Sequence, residues 1–383
     1  MPRKVIHVAI NGVTGRMGYR QHLVRSLLAI REQGGLRLED GTSLYPEPIL
    51  VGRSEERLRA IAERHGLERW TTSLDEVLAD PEVEVYFDTQ VTSEREASLL
   101  KAIEAGKHVY TEKPVAGSLD GALRLARAAK AAGITHGVVH DKLFLPGVMK
   151  LQRLIGGGFF GRVLSVRLEF GYWVFEGDEI PAQRPSWNYR AEEGGGIVLD
   201  MFPHWQYLLT DLFGPVSALY ARATTHIPRR WDESGRAYDA TADDAAYAVL
   251  EFASGMFASV NSSWAVRVNR RELLELQVDG TDASAVAGLR DCAVQHRVFT
   301  PMPVWNPDLP DPIDYQALWS DVPDHMVFDN GFKVEWELFL TCACQGRPFP
   351  WDLTEGAKGV QLANLALQSS AEGRRVSVPP LAV

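Results

Sequence analysis

The sequence predicts an α/β protein in two parts, a doubly wound parallel sheet followed by an α+β domain with a large, mostly antiparallel, open-faced sheet. Short apolar runs alternate with amphipathic stretches over about the first 140 residues, which is the order that βαβ units produce. From residue 162 the runs alternate apolar and polar side chains and are separated by short turns, which is typical of an antiparallel sheet. The expected domains are residues 1–145 and 146–383, and the last helices could pack back on the first domain.

Composition limits the kinds of partner. The 383 residues are 45% hydrophobic and 23% charged, and 50 acidic against 40 basic residues give a formal charge of −10 without any basic block. This balance disfavours nucleic acid and anionic membrane as partners. No apolar run reaches the roughly 20 residues of a membrane helix. Three cysteines, Cys292, Cys342 and Cys344, suit neither a disulfide framework nor a metal site, so we expect a cytoplasmic protein without a metal.

The first strand and the turn after it indicate a nucleotide site. Residues 5–10 are a continuous apolar run, and glycines follow at positions 12, 15 and 18 before an amphipathic stretch to about Arg31. A strand, a glycine turn and a helix start form a cradle for a pyrophosphate, although G-x-x-G-x-x-G is a variant of the usual spacing and an ordinary tight turn is the alternative. The position at the start of the chain favours the cradle. The expected cofactor-binding residues here are Gly12, Thr14, Gly15, Arg16, Met17 and Gly18.

The end of the second strand bears on the choice of cofactor. A Gly- and Pro-rich segment, residues 34–48, precedes the predicted strand at residues 49–51, which ends at Arg53 and Ser54. An acidic residue at this place would bind the ribose of NAD, whereas an arginine accommodates the 2′-phosphate of NADP. The pair favours NADP over NAD, and the alternative is a solvated arginine that opens the next helix.

Polar residues follow the next predicted strands. The strand at 83–87 runs into Thr89 and Gln90, and the strand from His108 ends in Glu112, Lys113 and Pro114. Side chains at the carboxyl ends of parallel strands face the crevice where ligands bind. We therefore expect Thr89, Gln90, Glu112 and Lys113 to contribute to the cofactor site. The helices predicted between the strands of this part are 55–65, a short one capped by Ser73, 94–105 and one capped by Ser118, and a further strand is predicted at 134–139.

The second part reads as strands joined by hairpins, with two helices at the end. A strand is predicted at 162–173, strand-rich stretches at 216–226 and 245–268, and a hairpin across Asp279 and Gly280. Five prolines between residues 301 and 312 predict a long extended loop. Closing helices are predicted near 332–344 and 353–371.

Asp200 and His204 stand out after three glycines at 194–196. Four residues apart, they project from one face of a helix that is otherwise apolar. Such a face would desolvate an ionisable pair. Each residue alone is most simply a surface carboxylate or a core histidine, as Lys113 alone is a turn residue. The three together beside a glycine turn favour catalysis.

These motifs resemble the Gfo/Idh/MocA family, the glucose-fructose oxidoreductase and inositol dehydrogenase-like enzymes. The resemblance rests on the first glycine turn, on residues 105–109 running into Glu112-Lys113-Pro114, and on the triple glycine with Asp200 and His204, and it covers essentially the whole chain. It implies a Rossmann domain that binds NAD or NADP, a second domain for substrate and assembly, and a cis bond before Pro114. Leu143, where many relatives carry arginine, and the long segments 34–48 and 173–189 depart from the family pattern.

The resemblance implies hydride transfer between nicotinamide and a secondary alcohol of a sugar, glycoside or polyol. His204 would act as general base, Lys113 would hydrogen-bond the same oxygen, and Asp200 would orient His204. One alternative is an enzyme that retains its cofactor and oxidises a glycoside transiently, for elimination or epimerisation. Another is a regulator that binds the dinucleotide without catalysis. A homodimer or homotetramer through the open sheet face is the implied assembly.

An aromatic and basic segment precedes the triple glycine and could form a sugar-stacking wall, with core or interface positions as the equal alternative. His140 and Asp141 lack a third ligand at a metal spacing, which speaks against a metal site. The candidate substrate residues are Lys142, Trp173, Arg184, Trp187 and Tyr189.

Overall fold

The computed structural model describes residues 2–181, 184–300, 306, 308–310 and 313–382. The chain forms two compact units. The first consists of Met1–Phe144, Asp329–Leu362 and Pro380–Val383, and the second of Leu145–Phe328 and Ala363–Pro379. The chain therefore passes between the units more than once. The sequence predicted two continuous domains, 1–145 and 146–383, with a possible return to the first domain by the last helices.

The first unit is built on a seven-stranded sheet in the order β2-β3-β1-β5-β6-β7, with β4 beside β3. All pairs are parallel except β2 with β3. The strands are β1 Arg3–Asn11, β2 Leu36–Arg37, β3 Ser43–Val51, β4 Trp70–Thr71, β5 Val83–Asp88, β6 His108–Thr111 and β7 His136–Val138. A π-helix, Gly18–Leu28, follows β1, and the α-helices are α1 Ala29–Glu32, α2 Glu55–His65, α3 Leu74–Ala79, α4 Thr92–Glu104 and α5 Leu119–Ala132. A 3-10 turn, Asp141–Phe144, ends this stretch.

Strand β3 begins at Ser43, six residues before the predicted start at Ile49, and so includes Pro46 and Pro48. The backbone N–H of Leu50 points away from β1, since it donates to Arg69 O of the neighbouring segment at 3.1 Å. Because N–H directions repeat every second residue, the nitrogens of Pro46 and Pro48 face the same side. That side is bordered only by the two-residue strands β2 and β4, which pair with other residues of β3. Prolines are tolerated at such an edge because no ladder bond is lost.

The second unit holds a nine-stranded sheet in the order β17-β16-β15-β14-β8-β13-β12-β9-β18, in which only β8 and β13 pair in parallel. Its strands are β8 Val163–Gly171, β9 Val216–Thr224, β10 Arg229–Trp231, β11 Ala237–Asp239, β12 Ala245–Phe252, β13 Phe257–Ser263, β14 Leu274–Gly280, β15 Ala283–Ala287, β16 Cys292–His296, β17 Ser320–Asp321 and β18 Val376–Ser377, of which β10 and β11 form a separate pair. The remaining helices of the chain are α6 Pro146–Gly156, α7 Ile197–Phe213, α8 Gly331–Gln345 and α9 Leu353–Glu372. Four 3-10 turns lie at Ser186–Tyr189, Ala191–Glu193, Arg297–Phe299 and Gln316–Leu318.

Two predictions for the second unit concern the β14–β15 turn and the proline-rich loop. The turn between β14 and β15 lies at Thr281 and Asp282, two residues after the predicted Asp279 and Gly280, because Asp279 still pairs with Ser284 in the ladder. Of the predicted proline loop, Pro301, Pro303, Pro307 and Pro312 lie outside the described residues.

One face of the large sheet is buried and the other is open, as the sequence predicts. Val166, Leu168 and Phe170 of β8 are at most 6% exposed. On the opposite side of neighbouring strands, apolar side chains are 40–51% exposed: Tyr220, Tyr247, Val249 and Phe257. The alternation of the strands thus separates a core face from an unpartnered apolar face.

Candidate active site

The glycine turn after β1 packs closely against the segment that follows β5. Gly12 has a φ of +84°, and a Cβ on it would lie 2.8 Å from the backbone carbon of Thr89. A Cβ on Gly18 would lie 2.7 Å from Thr89 Cγ2. Gly15 and Arg16 are exposed. The two tight positions explain the glycines at 12 and 18, and the turn presents its exposed backbone before a helix, which fits a dinucleotide phosphate.

A buried polar network fixes the carboxyl ends of β1 and β5. Asn11 Nδ2 donates to Tyr86 Oη at 2.9 Å and to Gln90 Oε1 at 3.0 Å. Tyr86 Oη donates to Asp88 Oδ2 at 2.8 Å, and the backbone N–H of Gln90 donates to Asp88 Oδ1 at 3.0 Å. Burial raises the pKa of Asp88, although the charge of Arg95 opposes the shift. The network sets the backbone and side chain of Gln90, a predicted cofactor residue.

The turn that carries Lys113 is held on both sides. The Lys113–Pro114 bond is cis, which confirms that expectation. Arg95, whose Nε donates to Asp88 Oδ1 at 3.3 Å, also donates to the carbonyl of Pro114. Glu112 Oε2 accepts the Lys113 backbone N–H at 3.1 Å. Lys113 itself is partly exposed, so a rigid backbone presents a side chain at the end of β6.

Arg53 and Ser54 lie at the end of β3, where the sequence places them. Arg53 is exposed, and Ser54 caps α2 by accepting the Arg57 N–H at 3.4 Å. A groove beside the glycine turn is lined by Thr14, Tyr19, Arg57, Ala60, Ile61 and Arg64. The region in front of the turn is therefore rich in guanidinium groups.

In the second unit the triple glycine allows another segment to cap α7. A Cβ on Gly195 would lie 2.5 Å from the carbonyls of Trp187 and Asn188, and one on Gly196 would lie 2.7 Å from Asp243 Oδ1. Asp243 Oδ2 accepts the Val198 N–H at 2.8 Å, and its carbonyl accepts the Ile197 N–H at 2.9 Å. Burial raises the pKa of Asp243 against these hydrogen bonds. The helix that carries Asp200 and His204 is thereby anchored at its first turn.

Asp200 and His204 both lie on α7, as predicted, and have different neighbours. Arg184 Nη1 donates to Asp200 Oδ2 at 2.8 Å. His204 is 6% exposed, and its Nδ1 lies 2.9 Å from Tyr207 Oη, one turn further along the helix. If Tyr207 accepts the proton of Nδ1, Nε2 carries the lone pair that a general base requires. The expected roles of Lys113, Asp200 and His204 stay predictions.

Arg184 is the centre of a cluster among the candidate substrate residues. Its Nε donates to Tyr172 Oη at 2.9 Å, and its guanidinium lies 4.3 Å from the ring centre of Trp264. Burial opposes its charge, but Asp200 and Tyr172 outweigh burial, and the pKa of Arg184 is above its ordinary value. This cation therefore stays available to hold the Asp200 carboxylate.

The other candidates are placed differently. Trp187 is 44% exposed, whereas Tyr189 is 1% exposed beneath the guanidinium of Arg230, 3.9 Å from its ring centre. For Tyr189 the structure thus favours the core alternative over the sugar-stacking one. Trp173 carries Arg267 over its ring at 3.7 Å, and Lys142 lies beside Asp141, 3.5 Å away.

Comparison with known proteins decides the family. Residues 6–140 match the oxidoreductase family with an NAD-binding Rossmann fold, and residues 148–286 match the GFO/IDH/MocA C-terminal domain. The chain is 55% identical over 381 residues to D-xylose dehydrogenase of Paenarthrobacter nicotinovorans, covering 98% of each chain. The chain belongs to the Gfo/Idh/MocA family. The resemblance read from the sequence is therefore confirmed, and so are the two-part fold and the assignment to the oxidoreductases.

More distant members of the family show the same fold. Levoglucosan dehydrogenase of Pseudarthrobacter phenanthrenivorans is 28% identical over 264 residues, covering 63% of this chain and 66% of that one. A solved levoglucosan dehydrogenase in complex with NADH and L-sorbose superposes with a TM-score of 0.80 at 21% identity over 100% of both chains. The match of residues 6–140 to the family with an NAD-binding Rossmann fold makes an NAD(P) cofactor part of this protein's chemistry.

The described residues contain no group of three or more His, Cys, Asp or Glu side chains placed to hold a metal ion. None of the helices within the described ranges is long and apolar enough to cross a membrane.

Several residues that shape the candidate site were not found from the sequence. Tyr207 could have been found, because it lies three residues after His204 on the predicted helix. A capping residue from another segment could have been expected, because Gly196 has no side chain with which to cap α7; in the structure this residue is Asp243. His22 and Trp336, whose contacts with the Lys113 turn are described below, lie far from it in sequence and gave no signal.

Proposed function

We propose that this protein is an NAD(P)-dependent sugar dehydrogenase that oxidises D-xylose or a closely related aldose. The observation that carries the proposal is the 55% identity to D-xylose dehydrogenase over 98% of both chains. The proposal is also supported within each unit: the Lys113 turn presents an ammonium group and the anchored helix α7 presents an imidazole, and the chemistry needs one of each. The secondary alcohol becomes a carbonyl, one hydride leaves its carbon and one proton leaves its oxygen.

The cofactor would be held by the glycine turn, by Gln90 and by the end of β6. When bound, the nicotinamide supplies the hydride acceptor. His204 would take the hydroxyl proton through Nε2, with Nδ1 turned to Tyr207 at 2.9 Å. Lys113 would donate a hydrogen bond to the same oxygen and stabilise its developing negative charge. Asp200, with one oxygen held by Arg184, would accept from a neighbouring sugar hydroxyl.

Substrate oxidation is tested with purified protein, D-xylose, other pentoses, polyols and levoglucosan, each with NAD and NADP, by following the reduced-nicotinamide absorbance. We expect D-xylose to be oxidised most efficiently. Absorbance should rise with each turnover, since a dehydrogenase releases its reduced cofactor. Absence of reduced cofactor with every sugar would overturn the proposal and favour the retained-cofactor alternative or the regulator.

We propose further that NADP is preferred over NAD. The exposed Arg53 and the nearby Arg57 and Arg64 provide positive charge beside the turn. Positions 53 and 54 are Arg and Ser, so neither carries the acidic side chain that would bind the ribose of NAD. A charge-assisted hydrogen bond is worth about 1.5–3 kcal/mol, or roughly 10- to 100-fold in affinity. Arg53→Ala should weaken NADP binding by about that factor and NAD binding much less, measured by titration of the reduced cofactors. Equal losses for both cofactors would contradict the preference.

The open face of the large sheet is proposed as the contact with a second copy of the chain, giving a homodimer or homotetramer. Tyr220 and Val249 are register partners on this face, and Phe257 pairs with Glu251 beside them. An apolar surface of this kind is typical of association. Light scattering at micromolar concentration should show an oligomer that Val249→Asp dissociates. A monomeric parent protein would contradict the assembly.

A further inference from the structure

A buried hydrogen-bonded chain links three distant segments of the first unit to the Lys113 turn. Trp336 Nε1 of α8 lies 3.0 Å from His22 Nδ1 in the π-helix after the glycine turn. His22 Nε2 lies 2.8 Å from Glu112 Oε1 at the end of β6. Trp336 and His22 are 0% exposed, and Glu112 is 8% exposed. These two hydrogen bonds thus join the helix after the glycine turn, the Lys113 turn and a helix from the C-terminal part of the sequence.

The indole fixes the tautomer of His22. An indole N–H can donate a hydrogen bond but cannot accept one. His22 Nδ1 must therefore accept, which means that it carries no proton. The single proton of the neutral imidazole is then on Nε2, from which it is donated to Glu112 Oε1. Trp336 in this way determines which nitrogen of His22 faces Glu112.

Glu112 is consequently an ionised acceptor with both oxygens engaged. Oε1 accepts from His22, and Oε2 accepts the backbone N–H of Lys113 at 3.1 Å. Burial works to raise the pKa of Glu112, but the hydrogen bond from His22, together with nearby positive charge, outweighs burial and leaves the pKa below its ordinary value. The carboxylate therefore connects His22 directly to the peptide that positions Lys113.

We propose that His22, in the tautomer imposed by Trp336, is a positioning residue that aims Glu112 at the Lys113 peptide and so sets the geometry of the redox site. The proposal rests on the proposed function of Lys113. Arg95 holds the other side of the same turn through the carbonyl of Pro114. Both sides of the turn that carries Lys113 are therefore held by side chains of the first unit.

Few charged groups surround His22. The rings of Phe87 and Phe332 pack on it, with ring centres at 4.3 and 5.2 Å. The titratable groups around the Glu112 carboxylate at its far side are Lys113, Arg95, Tyr110 and Glu335. Burial raises the pKa of Glu335 well above its ordinary value, which works against a second negative charge in this region. The ionised Glu112 is therefore the nearest anion to His22 among the described residues.

The tautomer can be measured without catalysis. In protein labelled with 15N-histidine, His22→Gln identifies the His22 signals among the 10 histidines. We expect a protonated Nε2 and an unprotonated Nδ1 at neutral pH. In Trp336→Phe the Nδ1 loses its donor, and we expect a mixture of the two neutral tautomers, with part of the proton on Nδ1. A parent His22 that is protonated on Nδ1 would overturn the proposal.

Kinetics with D-xylose test the functional part. His22→Leu removes the donor to Glu112, and we expect kcat to fall about 10- to 100-fold with little change in KM, because misplacing a reacting group by about 1 Å costs up to about 100-fold. His22→Gln keeps an N–H donor and should recover most of the loss. His136→Leu is the matched control, since His136 Nδ1 also accepts an N–H in this unit, from Leu353 at 3.2 Å. Equal losses in His22→Leu and His136→Leu, or a kcat unchanged in His22→Leu, would refute a positioning role.

The same variants separate this proposal from the proposed function. Trp336→Phe should lower kcat with little change in KM, and by less than His22→Leu, because it keeps the imidazole but no longer fixes its tautomer. Should the parent oxidise no sugar, the proposed function fails, while the His22 signals still decide the tautomer. A Trp336→Phe variant whose His22 tautomer changes while its kcat stays that of the parent would refute the link to the redox site.

Discussion

Glu335 offers a stability prediction that follows from its burial. It is 0% exposed on α8, its Oε1 accepts the His140 N–H at 2.7 Å, and it is hydrogen-bonded to Tyr110. Burial raises its pKa well above the ordinary value of 4.5, and the charges of Asp141 and Glu112 add to the shift. The native state therefore holds a proton that the unfolded chain releases near pH 4.5.

The sign of the pH dependence follows. A group with a raised folded-state pKa contributes fully to stability below its unfolded pKa, and that contribution is lost as the pH rises through the folded-state pKa. Glu335→Gln keeps a neutral acceptor and removes the titration. The free energy of unfolding of Glu335→Gln, minus that of the parent, should therefore increase by about 1.4 kcal/mol per pH unit above about pH 4.5, until the folded-state pKa is reached.

Urea denaturation of parent and Glu335→Gln from pH 5 to 8, followed by tryptophan fluorescence, measures this difference. Glu337→Gln on the same helix, where the carboxylate accepts from Lys333 at 2.9 Å, is the control for replacing a less buried glutamate of α8 by glutamine. A difference between parent and Glu335→Gln that stays constant from pH 5 to 8 would refute the protonated state of Glu335.

Three shorter predictions concern other contacts. Gly12→Ala places a Cβ 2.8 Å from Thr89 at a φ of +84°, and we expect reduced-cofactor affinity, measured by fluorescence titration, to fall at least about tenfold; an affinity like the parent's would contradict the packing argument. Arg230→Met leaves Asp244, 0% exposed and 3.0 Å from the guanidinium, without its cation, which should cost about 3–5 kcal/mol in urea denaturation; a loss under about 1 kcal/mol would be inconsistent with a buried pair. Tyr207→Phe should lower kcat for D-xylose about tenfold through a less well oriented His204, and full activity would remove Tyr207 from the mechanism.

The sequence predicted those features that depend on local pattern. The apolar run of β1, the alternation of β8 and the caps at Ser73 and Ser118 all follow from short-range rules, and the structure shows them. The cis bond before Pro114 and the family came from motif resemblance. Features that depend on neighbours in space were missed or shifted: β3 runs through two prolines because an open edge borders them, and the β14–β15 turn lies two residues later than its glycine suggests.

The candidate site shows the same division. Gly12, Glu112, Lys113, Asp200 and His204 could be proposed from the sequence because each stands in a motif. The residues that position these side chains come from remote segments. His22 contacts Glu112, and Trp336 in turn contacts His22 from more than 300 residues away, a separation that no spacing rule covers. The core position of Tyr189 could not be predicted from the sequence, because only the structure shows that Arg230 packs over its ring.

The central claim is that Lys113 and His204 act on one sugar hydroxyl, and a double-mutant cycle tests it most directly. Lys113→Met and His204→Gln should each lower kcat/KM for D-xylose by about 100-fold or more, the range expected for groups that assist proton transfer. Because groups that work as a unit are not additive, the double variant should be about as slow as the slower single variant. Single variants that keep the parent rate, or losses that multiply fully in the double variant, would contradict the claim.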